Sequence, residues 1–354
     1  TILWDVPLLD GYDHEFVPNR APNAHVKGFF GLVNPGLAPR LLAFRPDAIV
    51  VHGYAQATQH IAMLTGRLAG VPVLMRGESH LHAPRSAWKL AAKRLGAAYL
   101  RQVLAGAVAI GTLSRDYWLH YGLPPERVFL APYAVDNDFF QSRAAAAREE
   151  AARWREELDV PADARVLGFA AKLSAVKGCG DLIEAFARAR VPGSALVIVG
   201  DGPLRAELEA QARRFPDACI RFKGFVNQSQ MPTAYAISDV FALPSRFEPW
   251  GLAINEAMNL ARPVIVSDVV GCAPDLVRPD NGWVFPVGDV DALTAVVRDA
   301  LSDGERLARM GRASRARIDG WGLPETAEGF VSAARAVAAR RAGLGALLGG
   351  RGRS

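Results

Sequence analysis

The stretch Ser245-Arg246-Phe247-Glu248-Pro249-Trp250-Gly251-Leu252-Ala253-Ile254-Asn255-Glu256-Ala257-Met258 places two carboxylates on either side of a glycine that opens a helical pattern. A helix starting at Gly251 leaves backbone N–H groups unpaired at its mouth, with the positive end of the helix dipole behind them, and this suits a phosphate. Glu248 precedes that mouth, and Glu256 lies roughly two turns inside, with a side chain that leans back toward it. An ionised carboxylate is an acceptor only, so it does not bind phosphate; it suits hydroxyls, as on a ribose or a hexose. The arrangement predicts a sugar nucleotide. An isolated acid pair at this spacing is more often loop and solvated helix, so its neighbours decide.

One neighbour is Gly168-Phe169-Ala170-Ala171-Lys172-Leu173-Ser174-Ala175-Val176-Lys177-Gly178, in which Lys172 and Lys177 leave the end of a strand just before a helix. A pyrophosphate needs such cationic partners in addition to helix dipoles. Another is Val199-Gly200-Asp201-Gly202-Pro203, a strand-to-helix turn whose glycines permit tight backbone geometry. Either alone is weak, because strand-end lysines are usually surface charges.

The elements that must position these residues alternate short β-branched runs with longer helical stretches, the pattern of parallel α/β sheets. Strands are predicted at Ala48–Val51, Val71–Met75, Val108–Ile110 and Val128–Leu130, with helices near 57–68 and 86–104. After a charged, alanine-rich segment the pattern restarts, with strands at 166–170, 196–199, 220–223, 240–243, 264–267 and 283–285. Two doubly wound domains in series are expected, with ligands at the carboxyl ends of the strands. The divisions predicted are a first domain over 1–140, a connecting helix over 141–163, a second domain over 164–320, a C-terminal helix over 321–340 and a disordered tail over 341–354.

Composition narrows the class. The 354 residues exceed one ordinary hydrophobic core, and with 50% hydrophobic and 22% charged residues the chain is neither disordered nor fibrous. A net charge of +5 is too small, without a concentrated patch, to name nucleic acid as a partner. Cys179, Cys219 and Cys272 are far apart and odd in number, which excludes a disulfide framework or a zinc cluster and points to a reducing, cytoplasmic compartment. The longest weakly polar stretch, Val103 to Leu113, is about half the ~20 residues of a membrane span. The chain opens at Thr1 with neither an initiator Met nor a signal-peptide pattern, so a missing native beginning is expected.

Taken in order, Lys172…Lys177-Gly178, VGDGP at 199–203, FEPWGLAINEAM at 247–258 and RPVIVSDVVGCAPDLV at 262–277 resemble the retaining glycosyltransferases of family 4, the group 1 glycosyltransferases. The resemblance is strong from Val166 to Leu301 and weaker over Pro46 to Phe140, where Ser114 and APYAVDNDFF at 131–140 resemble the end of an acceptor domain. It implies the GT-B architecture, two Rossmann-like domains facing across a cleft. It also implies transfer of a hexose, with retention, from a UDP- or GDP-linked donor to a polysaccharide, glycolipid or other acceptor. By that resemblance Glu256 binds the donor ribose, Glu248 contacts the transferred sugar, and Lys172 and Lys177 neutralise the departing diphosphate. The Gly251 and Leu252 amides hold the distal phosphate, Phe225 and Val226 lie near the nucleobase, and Trp250 and Gly200 complete the donor site. No ligand cluster for Mg²⁺ is legible, and no metal or other cofactor is expected.

The sequence departs from the family pattern in places. The family's first β-α unit, with its glycine-containing loop, has no counterpart before Trp4-Asp5-Val6-Pro7-Leu8-Leu9, so the first domain is expected to be truncated. Glu78 stands where the family often has a histidine meeting the reacting sugar, which leaves Arg76, Glu78 and His80 as three candidates for that role. Ala171-Lys172 replaces the usual Gly-Arg, keeping charge and losing the bidentate fork. Arg85, Lys89 and Lys93 recur every four residues on one predicted helical face, a surface for anionic lipid or merely a solvated face. The first alternative makes a lipid-linked acceptor and the inner face of the plasma membrane natural. Competing readings are a GT-B-like sugar-nucleotide epimerase or phosphorylase and a non-catalytic nucleotide-sugar-binding protein. A dinucleotide-dependent dehydrogenase is disfavoured, because no G-x-G-x-x-G follows a strand with an acid about 20 residues on.

Overall fold

The computed structural model describes residues 5, 9–25, 28–81 and 87–349, apart from the side chains of 87–92 and 341–349. Contacts divide the chain into two units, Leu9–Pro132 rejoined by the stretch from Pro324, and Tyr133–Leu323 joined by Asp5.

The first unit holds four strands, β1 (Ile49–His52), β2 (Val73–Gly77), β3 (Gly106–Ala109) and β4 (Val128–Leu130), in the order β1-β2-β3-β4. All pairs are parallel, with Val51 opposite Met75 and Arg76 opposite Val108. Every residue of β2 and β3 is buried, whereas β1, on an edge, alternates buried and exposed positions. The helix Leu323–Gly349 returns to this sheet, where Ala333 and Val337 pack on Leu74, Val108 and Ala131. Its backbone comes so close that a Cβ at Gly329 would lie 2.4 Å from the Leu130 carbonyl oxygen. The helix runs to Gly349, past the end at 340 read from sequence.

The second unit holds β5 (Arg165–Ala170), β6 (Ser194–Val199), β7 (Cys219–Gly224), β8 (Val240–Leu243), β9 (Val264–Ser267) and β10 (Gly282–Phe285). Their order is β10-β9-β8-β5-β6-β7, again all parallel. Strand numbers therefore run outward in both directions from the β5/β8 boundary. At such a reversal successive crossovers go to opposite faces, and a crevice opens at the carboxyl ends. The core beneath joins Leu167, Phe169, Ile198 and Ile265 to Leu182 and Phe186 of the helix Cys179–Ala189.

All ten strands fall on the runs read from sequence, within about three residues at each end. The connecting segment expected over 141–163 is helical over Ala144–Glu157, preceded by a short helix Asn137–Ser142; both belong to the second unit, and the division falls at 132/133 rather than after 140. Polar stitching explains the shift. The Asn255 amide donates to the Tyr133 carbonyl at 2.9 Å, Gln141 donates to Asn259 at 2.6 Å, and Asn259 donates to Asn137 at 2.8 Å.

Candidate functional site

Beyond the ends of β5, β6 and β7 lies a pocket of about 350 Å³ lined by Lys172, Gly200, Asp201, Phe225, Val226 and Glu256, among others. Lys172 leaves β5, Gly200 leaves β6, and Phe225 follows β7 with more than half its surface exposed at 57%. Gly200, at φ 131°, is required by a close approach: a Cβ there would lie 2.0 Å from the Ala171 carbonyl oxygen. The turn of β6 is thus seated directly on the segment that carries Lys172.

Glu256 reaches this pocket from the fifth position of the helix Leu252–Asn259. Its Oε2 accepts the hydroxyl proton of Tyr235, a residue 1% exposed on the helix Met231–Ala236. Burial disfavours the ionised carboxyl and pushes its pKa up to about 7, while the Tyr235 hydrogen bond pulls the other way. Burial first and the Glu256 charge second push the Tyr235 phenol well above its ordinary value, so it is a proton donor throughout the neutral range.

The mouth of the helix Leu252–Asn259 fits an anion. Its N-cap, Gly251, provides no side-chain cap, and its first turn carries no acid to compete. Gly251 has φ 101°, and a Cβ there would meet Val270 at 3.0 Å and Leu243 at 3.1 Å. The loop before it is held from behind, since Gly271 N–H donates to the Glu248 carbonyl at 3.0 Å and Cys272 N–H to the Trp250 carbonyl at 2.9 Å.

Lys177 and Glu248 form an ion pair with side chains only 26% and 13% exposed. The pair spans the reversal point, because Lys177 follows β5 and Glu248 follows β8. The two loops are locked together: Arg246 N–H donates to the Val176 carbonyl at 2.8 Å, and a Cβ at Gly178 would lie 2.1 Å from the Pro244 carbonyl oxygen. The pair does not line the 350 Å³ pocket; it flanks the helix mouth, with Glu248 Cγ 3.4 Å from where a Gly251 Cβ would stand.

Trp250 is corrected by the structure. It is 2% exposed, its indole N–H donates to Asn255 at 2.9 Å, and its ring stacks on Trp321 at 5.4 Å. It is a core support of the loop and offers no surface to a ligand. Sequence reasoning also missed Tyr235, which carried no motif, and Asp201 and Met231 as lining residues.

In the first unit Arg76, Glu78 and His80 lie at and just beyond the carboxyl end of β2. Glu78 is exposed, His80 is buried, and the Arg76 guanidinium lies 5.0 Å over the Phe330 ring. Arg76 thus packs on the ring of Phe330 in the C-terminal helix. Of the three basic residues proposed to face lipid, Arg85 lies outside the described residues and the Lys89 side chain is not described. The Lys93 ammonium lies over the rings of Tyr117 at 4.6 Å and Tyr121 at 5.8 Å, which turns it toward aromatic cover. Among the described residues no helix is long and apolar enough to cross a membrane. Burial pushes the Cys179 thiol up to about 12 and the Cys272 thiol well up, so both are inert core side chains.

Comparison with known proteins follows the same division. Residues 150–317 match the family described as "Glycosyl transferases group 1". The 2-deoxystreptamine N-acetyl-D-glucosaminyltransferase of Streptomyces fradiae is 29% identical over 321 residues, 87% of this chain and 75% of that protein. The crystal structure of Anabaena Alr3699/HepE in complex with UDP superposes with a TM-score of 0.70 at 20% identity, over 83% of this chain and 80% of that one. A glycosyltransferase from Rickettsia africae superposes at 0.71 and 16% identity, over 89% and 83%. The arrangement of two parallel-sheet domains common to these proteins is the GT-B architecture.

Proposed function

We propose that this chain, a glycosyltransferase whose residues 150–317 are those of the group 1 family, transfers a hexose from a nucleoside-diphosphate donor held by its second unit. The observation that carries this reading is the convergence of Lys172, Gly200, Phe225, Val226 and Glu256 on one pocket beside an uncapped helix mouth. In it the nucleobase lies against the exposed ring of Phe225, and the ribose hydroxyls meet Glu256. The diphosphate runs from Lys172 toward the amides of Gly251 and Leu252. In this reading the sugar lies beside Glu248.

Breaking the bond between the sugar and the β-phosphate oxygen develops negative charge on the diphosphate. Fixed charges aimed there stabilise the transition state without reorganising, and removing one such partner typically costs on the order of 10²–10³ in rate. Lys172 and Lys177 supply cations, and the helix mouth supplies N–H groups. An ammonium has three donors, so Lys177 keeps its contact with Glu248 while turning another proton to the phosphate. Retention follows if the acceptor hydroxyl attacks from the face the leaving group vacates, the course expected of family 4. In this proposal the chain's own charges, rather than a metal, stabilise the leaving group. UDP and GDP are the favoured carriers, UDP being the nucleotide crystallised with the Anabaena protein.

The acceptor is a glycan or a lipid-linked glycan met by the first unit, where Glu78 and His80 remain candidates for contact with the reacting sugar. A cytoplasmic protein docked on an anionic inner membrane face is the setting this reading favours. The test is a titration of the full chain, in EDTA, with UDP, GDP, ADP and their glucose and mannose conjugates. Tight binding of one base series and its turnover with an acceptor are expected, and no binding of any nucleotide overturns the reading.

A further inference from the structure

The two carboxylates of the site are held differently. Glu248 is gripped by an ammonium on an adjoining loop, whereas Glu256 has a phenol. The phenol belongs to a ring that cannot turn away. Tyr235 packs edge-on against Phe241 at 5.0 Å and Phe140 at 6.2 Å, both of them buried, and its hydroxyl proton goes to Glu256 Oε2. The carboxylate has two oxygens, and among the described residues the bond to Tyr235 is the one made by Glu256, so Oε1 is left to a ligand in the pocket. A rigid hydroxyl on one oxygen fixes the plane in which the other presents its lone pairs.

We propose that Tyr235 is the positioning residue of the donor site, clamping Oε2 of Glu256 so that Oε1 is presented to the ribose hydroxyls. This rests on the reading of Glu256 as the ribose ligand. Tyr235 touches no substrate and acts through Glu256 alone. Its hydroxyl also favours the ionised carboxylate, against the burial that disfavours it. The other ionisable groups facing Glu256 are Lys172 and Asp201, across the pocket on the loops after β5 and β6. The Lys177–Glu248 pair neutralises itself nearby.

The experiment is binding of the preferred nucleoside diphosphate by calorimetry from pH 5.5 to 9 in wild type, Tyr235→Phe and Glu256→Gln. Wild-type affinity is expected to fall as pH drops through about 7, where Glu256 takes up its proton. Tyr235→Phe keeps the ring and loses the hydroxyl. Its acid limb is expected to move up by about one pH unit, the size of a hydrogen bond to a charged group, giving about tenfold weaker binding near pH 6.5. By pH 9, with Glu256 ionised in both proteins, a fewfold loss is expected to remain, the part due to orientation lost with the clamp. A loss equal at all pH values, or a limb that does not move, makes Tyr235 a packing residue and overturns the proposal. Should Tyr235→Phe fail to fold, 3-fluorotyrosine at 235 serves: a stronger donor, it moves the limb down, and an unmoved limb overturns the proposal equally. Glu256→Gln separates the two claims. Undiminished binding in that variant overturns the ribose reading itself, whereas weak, pH-independent binding there with an unmoved Tyr235→Phe limb overturns the positioning role alone.

Discussion

Glu248 and Glu256 stand eight residues apart and flank one glycine, yet their surroundings assign them opposite characters. Glu248 meets a lysine across the reversal point of the sheet, so its charge is compensated by a neighbour of opposite sign. Among the described residues Glu256 has no countercharge on it, only a neutral phenol, and burial pushes its carboxyl up to about 7 against the pull of the phenol's hydrogen bond. An acid paired with a lysine suits the region where charge develops. An acid poised near neutrality suits the recognition of hydroxyls. The contrast arises from topology: the adjoining loops of β5 and β8 close an ion pair between Lys177 and Glu248, whereas Lys172 only faces Glu256 across the pocket.

That contrast breaks most sharply at the ion pair. Lys177→Ala and Glu248→Ala are each expected to lower kcat by on the order of 10²–10³ with a smaller change in donor affinity, because both act where charge develops. Steady-state kinetics with saturating donor checks this, and near-native turnover in both variants excludes the assigned roles. Combining the two substitutions is expected to cost less than the product of the single losses, since each single change already removes the shared ion pair.

A smaller effect of opposite sign is expected at the other acid. The folded state raises the Glu256 pKa from an ordinary 4.5 to about 7, so it binds a proton more tightly than the unfolded chain. The stability this costs is absent below pH 4.5, grows as pH rises through 7 and is complete above it. Glu256→Gln accepts the Tyr235 proton and cannot ionise. Its Tm is therefore expected to match wild type near pH 5 and exceed it at pH 8.5, while donor binding falls. Calorimetric melting at the two pH values decides, and a Tm difference independent of pH removes burial of charge as the cause.

The fold was legible because apolar β-branched runs of four to six residues, separated by helical lengths, have few alternatives to a parallel sheet. The site was legible where chemistry and backbone geometry coincide. Gly178, Gly200 and Gly251 each stand at positive φ where another side chain meets neighbouring atoms, and the two lysines and two acids each lie within six residues of Gly178 or Gly251. Tyr235 was not legible, since a tyrosine between a loop and a strand has no spacing that marks its partner 21 residues on. Trp250 misled for the related reason that its stacking partner, Trp321, lies 71 residues away in sequence. The connecting segment was legible as a helix, but its attachment to the second unit was not, since Trp154 and the polar bonds of Asn137 and Gln141 make that attachment to partners remote in sequence.

The central claim is that the donor lies at the carboxyl ends of the second sheet, with its diphosphate on the lysines and the helix mouth. Crystallising the full chain with UDP or GDP, whichever binds, tests it most directly. The account expects the base on Phe225, a ribose hydroxyl on Glu256 Oε1, and phosphate oxygens at Lys172 and the Gly251–Leu252 amides. A nucleotide bound with Glu256 out of reach of its ribose, or outside this pocket altogether, would contradict it.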